Sequence, residues 1–401
     1  MGTKPKKILL LVVKLGIAAA LMTWVLSKVY WHDYVTDRQG KSHALLEQKE
    51  GPTRTVVVDS GPFWRQEKSE RLRTDFRPFK DGGDPNDVVF PGFRSSLLNI
   101  NKALLAVGFC GFGISMLIIA VRWWFLLRLQ DIRIRFWEAI RLTFLGQFFN
   151  QVVPGTVGGD LVKAYYVSKH TPKKAAVLVS VFVDRVLGLT ELTLLAAVMV
   201  VAVLIGGMET FDTVREPVLY VVVVTGIVVM ALVFLLSSRF RSMFHLQRFY
   251  QRLSIARHVA AAGDAARLYR QRLPALLKAI GATFGAQFVW IMSITLLGVS
   301  IGLSEHIKWY NYFTYIPLIY IIGAIPLTPG GVGIVEGFYI RFFSMVNPSA
   351  ILVLAMLARI IPILWGLPGI IVAVTGPKLP KVEQMQAELQ VATKTDAEAG
   401  K

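Results

Sequence analysis

Two short glycine-rich segments hold the residues best suited to chemistry. VPGTVGGD at Val153 to Asp160 and TPGGVGIVE at Thr328 to Glu336 share Pro, Gly, Val and Gly at a common offset of 175, Pro329 minus Pro154. An acid follows each motif, Asp160 and Glu336. Further on, each is followed by an apolar stretch with an arginine: Arg185 lies 31 residues after Pro154, and Arg359 lies 30 residues after Pro329. A break between apolar helices leaves N–H groups unpaired, and small residues let a ligand approach them. Gly155, Gly158 and Gly159 in the first motif, and Gly330, Gly331 and Gly333 in the second, therefore suit an anionic headgroup such as phosphate. Close helix packing through small residues is the alternative.

The charged residues around the motifs divide by sign. Lys163, Arg185 and Arg359 suit phosphate, while Asp160 and Glu336 suit the amine of a headgroup, a proton or a cation. Asp160 is equally placed to cap a helix beginning after Gly159. Asn150 and Gln151, at the end of a half-helix, can bond headgroup oxygens or satisfy freed backbone groups. Asp184 and Arg185 are adjacent and project about 100° apart on a helix, so each needs a partner on another element. Glu191, seven residues after Asp184, shares its face and extends the same polar seam. Ionisable groups in a span cost roughly 2.5 to 3.5 kcal/mol at its centre, so they face an interior cavity or pair with one another.

Other chemistry has little support. No Ser-His-Asp order, Walker loop or Rossmann fingerprint stands in a suitable context, and no catalytic residue is assigned. The histidines show no metal spacing, and one cysteine, Cys110, permits neither an intrachain disulfide nor a multi-cysteine metal site. No cofactor is expected.

The elements that position these residues are membrane spans. The chain is 54% hydrophobic and 17% charged, and its apolar residues fall in blocks of roughly 20, the length that crosses a bilayer core. Without a barrel's alternation these blocks must be helical. The expected class is an all-α integral membrane protein, a polytopic bundle with two broken or re-entrant units. The net charge of +18 is concentrated between the blocks, where Lys and Arg mark cytoplasmic loops rather than a nucleic-acid surface.

Loop charge then orders the spans. Lys4, Lys6 and Lys7 precede Ile8 to Leu26, read as a signal anchor with its N-terminus inside. Residues 27–96 form a polar extracytoplasmic insert with a β-prone run at Thr55 to Val58. Spans follow at Leu97 to Val121, with Arg122 opening a cytoplasmic loop, and at Ala175 to Ile205, Pro217 to Leu236, Leu276 to Gly302 and Ala350 to Thr375. The broken units fall at Ile140 to Lys169 and Asn311 to Phe343. Between Arg239 and Arg272 lie eight arginines and one acid, Asp264. There Met243, Leu246, Phe249, Tyr250 and Leu253 share a face opposite Arg241, Arg248 and Arg252, as in an interfacial helix for anionic lipid. Residues 376–401 are a polar cytoplasmic tail. The expected location is the inner, cytoplasmic membrane with both termini inside, the first broken unit opening inward and the second outward, as in inverted-repeat transporters.

NQVVPGTVGGDLVKAYYV, the following VDR and PLTPGGVGIVEGFY also resemble the lysylphosphatidylglycerol synthetase transmembrane family, over roughly Leu97 to Thr375. That resemblance implies a helical membrane domain, 97–375, with lipid-handling or flippase-like activity, sometimes fused to a soluble aminoacyltransferase. Nothing after Thr375 has the length of such a fusion. The expected function is translocation of a phospholipid or polyprenyl-phosphate lipid through a central polar cavity. The rivals are a membrane-embedded headgroup transferase, with Asp160 or Glu336 as general base, and a membrane partner of a separate synthetase or glycosyltransferase.

Overall fold

In hydrocarbon the backbone can satisfy itself only within a helix or a closed barrel, and the apolar blocks fold accordingly. The computed structural model describes residues 3–36, 42–49, 55–59, 68–72, 89–152, 158–171, 174–209, 211–236, 273–325 and 327–375. Twelve α-helices are numbered here in chain order: α1 Thr3–Leu26, α2 Phe93–Leu98, α3 Lys102–Leu129, α4 Phe136–Val152, α5 Gly158–Ser168 and α6 Lys174–Ile205. They continue as α7 Phe211–Leu236, α8 Leu273–Ser300, α9 Trp309–Gly323, α10 Ile334–Phe342, α11 Pro348–Gly366 and α12 Pro368–Thr375. Among the described residues, four stretches are long and apolar enough to cross a bilayer: Lys102–Leu129, Val183–Ile205, Lys278–Ser300 and Pro348–Val374. The protein is a multi-pass helical membrane protein.

The expected elements recur, with boundaries moved for identifiable reasons. The second span does not stop at Val121: α3 continues to Leu129, and Arg122 is buried within it at 5% exposure rather than opening a loop. The apolar run Trp123 to Leu127 after the arginine carries the helix on. Helix α7 starts six residues ahead of Pro217, which falls inside it. The last span divides between α11 and α12, at Gly366 to Pro368. The basic segment 239–272, with its expected interfacial helix, and the tail 376–401 lie outside the described residues.

The chain divides into two compact units. One comprises residues 1–106, 296–308 and 332–358; the other comprises 107–295, 309–331 and 359–401.

In the first unit the polar insert adds strands to the helical protein, and α2 begins within its last residues, at Phe93. The insert forms a five-stranded antiparallel sheet of β1 Tyr34–Thr36, β2 Ser42–Lys49, β3 Thr55–Asp59, β4 Lys68–Leu72 and β5 Val89–Phe90, in the order β4-β3-β2-β1-β5. The β-prone run at Thr55 to Val58 is β3, and its Val56 and Val58 form the thin core with Val35. Polar bonds fix the root of the insert. Gly92 donates its N–H to Asp33 Oδ1 at 2.8 Å, Tyr30 donates its N–H to Ser349 Oγ at 3.0 Å, and Asn347 donates to the Pro91 carbonyl. Helix α1 packs on α10 so closely that a Cβ at Gly333 would lie 2.6 Å from Leu21 Cβ.

In the second unit α4 and α5 form a hairpin. A side chain at Gly159 would collide with the Gly146 carbonyl, and one at Gly146 would collide with the Lys163 stem, so the paired glycines set the approach of the two helices. Helix α12 and the end of α11 lie antiparallel against α4: the Gln147 amide donates to the Pro362 carbonyl at 3.4 Å, and Gly369 abuts Phe144. Helices α3, α6 and α8 meet through Leu126, Leu129 and Ala279, with Val183 and Leu187 against them.

Candidate functional site

The first glycine-rich break supplies a charged cluster. Gly158 opens α5, which puts Asp160 and Lys163 on its first turns, while α6 brings Arg185 to them. Arg185 Nε donates to Asp160 Oδ2, and Lys163 Nζ lies 3.5 Å from Asp160 Oδ1. One carboxylate is thus held between two cations, leaving the cluster with a single net positive charge. Lys163 is buried at 7% exposure, with its ammonium 5.2 Å from the centre of the Trp123 ring. The Arg185 side chain is 34% exposed, and its terminal nitrogens make no hydrogen bond among the described residues. That open edge presents the planar pair of donors that fits a phosphate or carboxylate.

Of the two readings open for Asp160, it takes the charged one: it lies inside the first turn of α5 and belongs to this ion cluster. Asn150 does the local satisfying instead: its Oδ1 accepts the Gly159 N–H at 2.9 Å. Of the two roles considered for Asn150, the backbone one is occupied. Gly155 lies outside the described residues, as does the side chain of Gln151.

A second cluster sits deeper. Arg122 on α3 places Nη2 2.7 Å and Nε 3.0 Å from Asp184 Oδ1, and its Nη1 donates to Thr283 Oγ1 on α8 at 2.8 Å. This supplies the partner that Asp184 requires from another element. Adjacent Asp184 and Arg185 therefore serve different clusters, as their divergence on the helix demands. Glu191 is 3% exposed, with Arg122 and Asp184 acting on it electrostatically. Among the described residues neither of its carboxyl oxygens has a hydrogen-bond partner. Arg122 is thus the cation paired with Asp184, and both act electrostatically on Glu191. The sequence reading missed Arg122 and Thr283. The extension of apolar residues past Arg122 was the available signal.

At the second break, residues Pro329–Gly331 form a 3₁₀ turn with Gly330 at φ +61° and Gly331 at φ +69°. Arg359 on α11 donates from Nη1 to the Gly330 carbonyl at 3.0 Å. Glu336, 2% exposed, accepts the Gly333 N–H at 2.8 Å and so closes the start of its own helix. In both units of the motif the cation downstream reaches back to the break: Arg185 through Asp160, Arg359 through the backbone. Neither acid stands open as a general base, since Asp160 is doubly ion-paired and Glu336 is engaged by its helix terminus. Among the described residues no group of His, Cys, Asp or Glu has the makings of a metal site.

Ion pairs buried between apolar helices of spanning length belong to a polytopic membrane protein. The model of the lysylphosphatidylglycerol synthase TM region matches residues 90–369, well over half of the chain, and the protein belongs to that family. Comparison with curated proteins found no match.

Proposed function

We propose that the protein is a lipid translocator that takes the phosphate of a phospholipid or polyprenyl-phosphate headgroup at the first break while the acyl or prenyl chains stay in the bilayer. The observation that carries this reading is the net-positive Asp160, Lys163 and Arg185 cluster, whose arginine is 34% exposed and makes no hydrogen bond from its outer nitrogens among the described residues. A lone, half-buried guanidinium among apolar helices would be costly and poorly oriented. Pairing its Nε with Asp160 offsets that cost and aims the remaining fork. Arg359 is the matching residue of the second motif. It lies one turn before Pro362, whose carbonyl accepts from the Gln147 amide on the last turns of α4. Membership of the family supports lipid handling as the general activity.

The domain layout, the inverted relation of the breaks, an inner-membrane location with both termini cytoplasmic, and anionic lipid at 239–272 belong to the same proposal and rest on loop charge. A separate synthetase or glycosyltransferase would supply or consume the lipid. The test is reconstitution of the full chain in liposomes with labelled phospholipids and polyprenyl phosphates, followed by measurement of exchange between leaflets without nucleotide. Movement above the protein-free rate is expected. Rates equal to protein-free liposomes across the panel would reject the reading, and release of a modified headgroup would replace it with transferase chemistry.

A further inference from the structure

The Arg122, Asp184 and Thr283 cluster is complete without Glu191. Arg122 spends Nε and Nη2 on Asp184 and Nη1 on the Thr283 hydroxyl, which in turn donates to the Ala279 carbonyl at 2.8 Å. Glu191 lies on the same face of α6, one heptad on, with both carboxyl oxygens sealed from solvent and without a hydrogen-bond partner among the described residues. An acid is an expensive way to fill space there, where leucine would serve. A carboxylate sealed from solvent and given no donor by the described residues is the costliest state of that side chain, whereas its neutral acid is far cheaper. The surrounding elements narrow the alternatives. On its own helix the nearby charge is Asp184, and on α3 it is Arg122. Helix α8 contributes Thr283 to the cluster and has Lys278 at its exposed start; α9, packed along α6, carries Tyr310, Tyr312, Tyr315 and Tyr320 and no charged residue; α7 has none after Glu216 except the phenol of Tyr220.

We infer that Glu191 is a proton-carrying site, and that its ionisation draws Arg122 away from Asp184 and so couples proton movement to rearrangement of α3, α6 and α8. The chemistry balances simply. The O–H bond of the acid breaks, the proton passes to water admitted when the helices part, and the resulting carboxylate competes with Asp184 for the single guanidinium. Reprotonation returns Arg122 to Asp184. One cation between two acids gives two discrete arrangements, which is the bistable element a coupled movement requires. The coupling deepens the translocator reading and rests on it, while the proton site itself does not.

Two measurements on the full chain in liposomes separate these points. Infrared difference spectra taken across a pH titration should show the carbonyl stretch of a protonated, buried carboxyl. The band should vanish in Glu191→Gln and persist, shifted, in Glu191→Asp. In the same vesicles an imposed proton gradient should speed labelled-lipid movement severalfold in the unsubstituted protein and leave Glu191→Gln unresponsive. A carboxyl band that survives Glu191→Gln overturns the proton site. Equal gradient responses in the unsubstituted protein and Glu191→Gln overturn the coupling. If no lipid moves at all while the band depends on Glu191, the translocator reading fails with the coupling, and the proton site stands. Should Glu191→Gln fail to fold, Glu191→Asp decides alone, since an unshifted band and an unaltered gradient response in it would each reject the inference.

Discussion

Arg122 and Asp184 are 62 residues apart in sequence, yet Nη2 and Oδ1 lie 2.7 Å apart, with side chains only 5% and 13% exposed. Each explains the other: Arg122 is tolerated inside a 28-residue apolar helix because Asp184 and Thr283 meet it, and Asp184 would otherwise be a bare anion among Val183 and Leu187.

Breaking that pair from one side should be severe. Arg122→Ala leaves Asp184 uncompensated and is expected to cost about 3–5 kcal/mol, the range for a buried pair stripped of one partner. The double variant Arg122→Ala with Asp184→Ala should be less destabilised than the sum of the single ones. Thermal melting in detergent checks both statements, and additive losses would show that the two residues do not depend on each other.

Arg185 should behave differently because it is partly exposed. Arg185→Ala should leave the melting temperature near that of the unsubstituted protein and reduce lipid movement at least tenfold. Arg185→Lys should restore little, since an ammonium keeps the charge but not the planar fork. Lipid movement and melting are read on the same preparation. Full movement in Arg185→Ala would assign the arginine to structure alone.

Two glycines in the second unit give opposite expectations. Gly159→Ala drives a methyl group into the Gly146 carbonyl and should separate α5 from α4, with loss of folded protein. Gly188 lies in α6 with nothing within 4 Å of where a Cβ would stand, so Gly188→Ala should be neutral or stabilising by roughly 0.5–1 kcal/mol. Folded yield and melting separate the two, and similar behaviour would contradict the close approach at Gly159.

In the insert, burial pushes the Tyr34 phenol up, and the neighbouring Tyr30 adds to the effect. The unfolded phenol ionises near its ordinary value of 10.0, whereas the folded one resists. The stabilisation is whole below that value and is lost as pH rises above it toward the folded value. The sheet should therefore weaken in strong alkali, and Tyr34→Phe should blunt the loss. Tyrosinate absorbance and circular dichroism against pH test this, and an early Tyr34 titration would count against it.

The inverted arrangement can be read by chemistry from each side of the membrane. Cys110 is exposed, so Cys110→Ala gives a blank background. Gly331 is a poor place for a cysteine, being buried at φ +69°, whereas Leu327 is 54% exposed beside the same break. Leu327→Cys should react with an impermeant maleimide in intact cells, and Thr156→Cys only once the inner face is opened. A permeant reagent must label both as a control. Reaction of both from one side would remove the inverted relation.

Much of this protein was legible in its sequence because the governing signals are local. Hydropathy over some twenty residues fixes a helix in lipid, and Pro with Gly interrupts it, so the spans and both breaks could be placed without a fold. The short β-prone run at Thr55 to Val58 likewise marked β3. Boundaries at charges were less secure: Arg122 looks like a loop residue until its partner is known, since positive residues flank spans far more often than they enter them. Glu191 could be aligned with Asp184 by period alone, yet nothing in the period says that its oxygens find no donor.

What the sequence determined by itself was the inventory: a helical membrane protein, two matched glycine-rich breaks, and a small set of acids and cations too costly to be idle in lipid. The tertiary structure decided which charge answers which. Asp160 goes to Arg185 and Lys163, Asp184 goes to Arg122, Glu336 closes its own helix, and Glu191 has no hydrogen-bond partner among the described residues. Hydropathy and helical period depend on neighbours in the chain, but an ion pair depends on which helices pack together. In a medium of low dielectric that choice carries several kcal/mol per charge, and no local pattern encodes it.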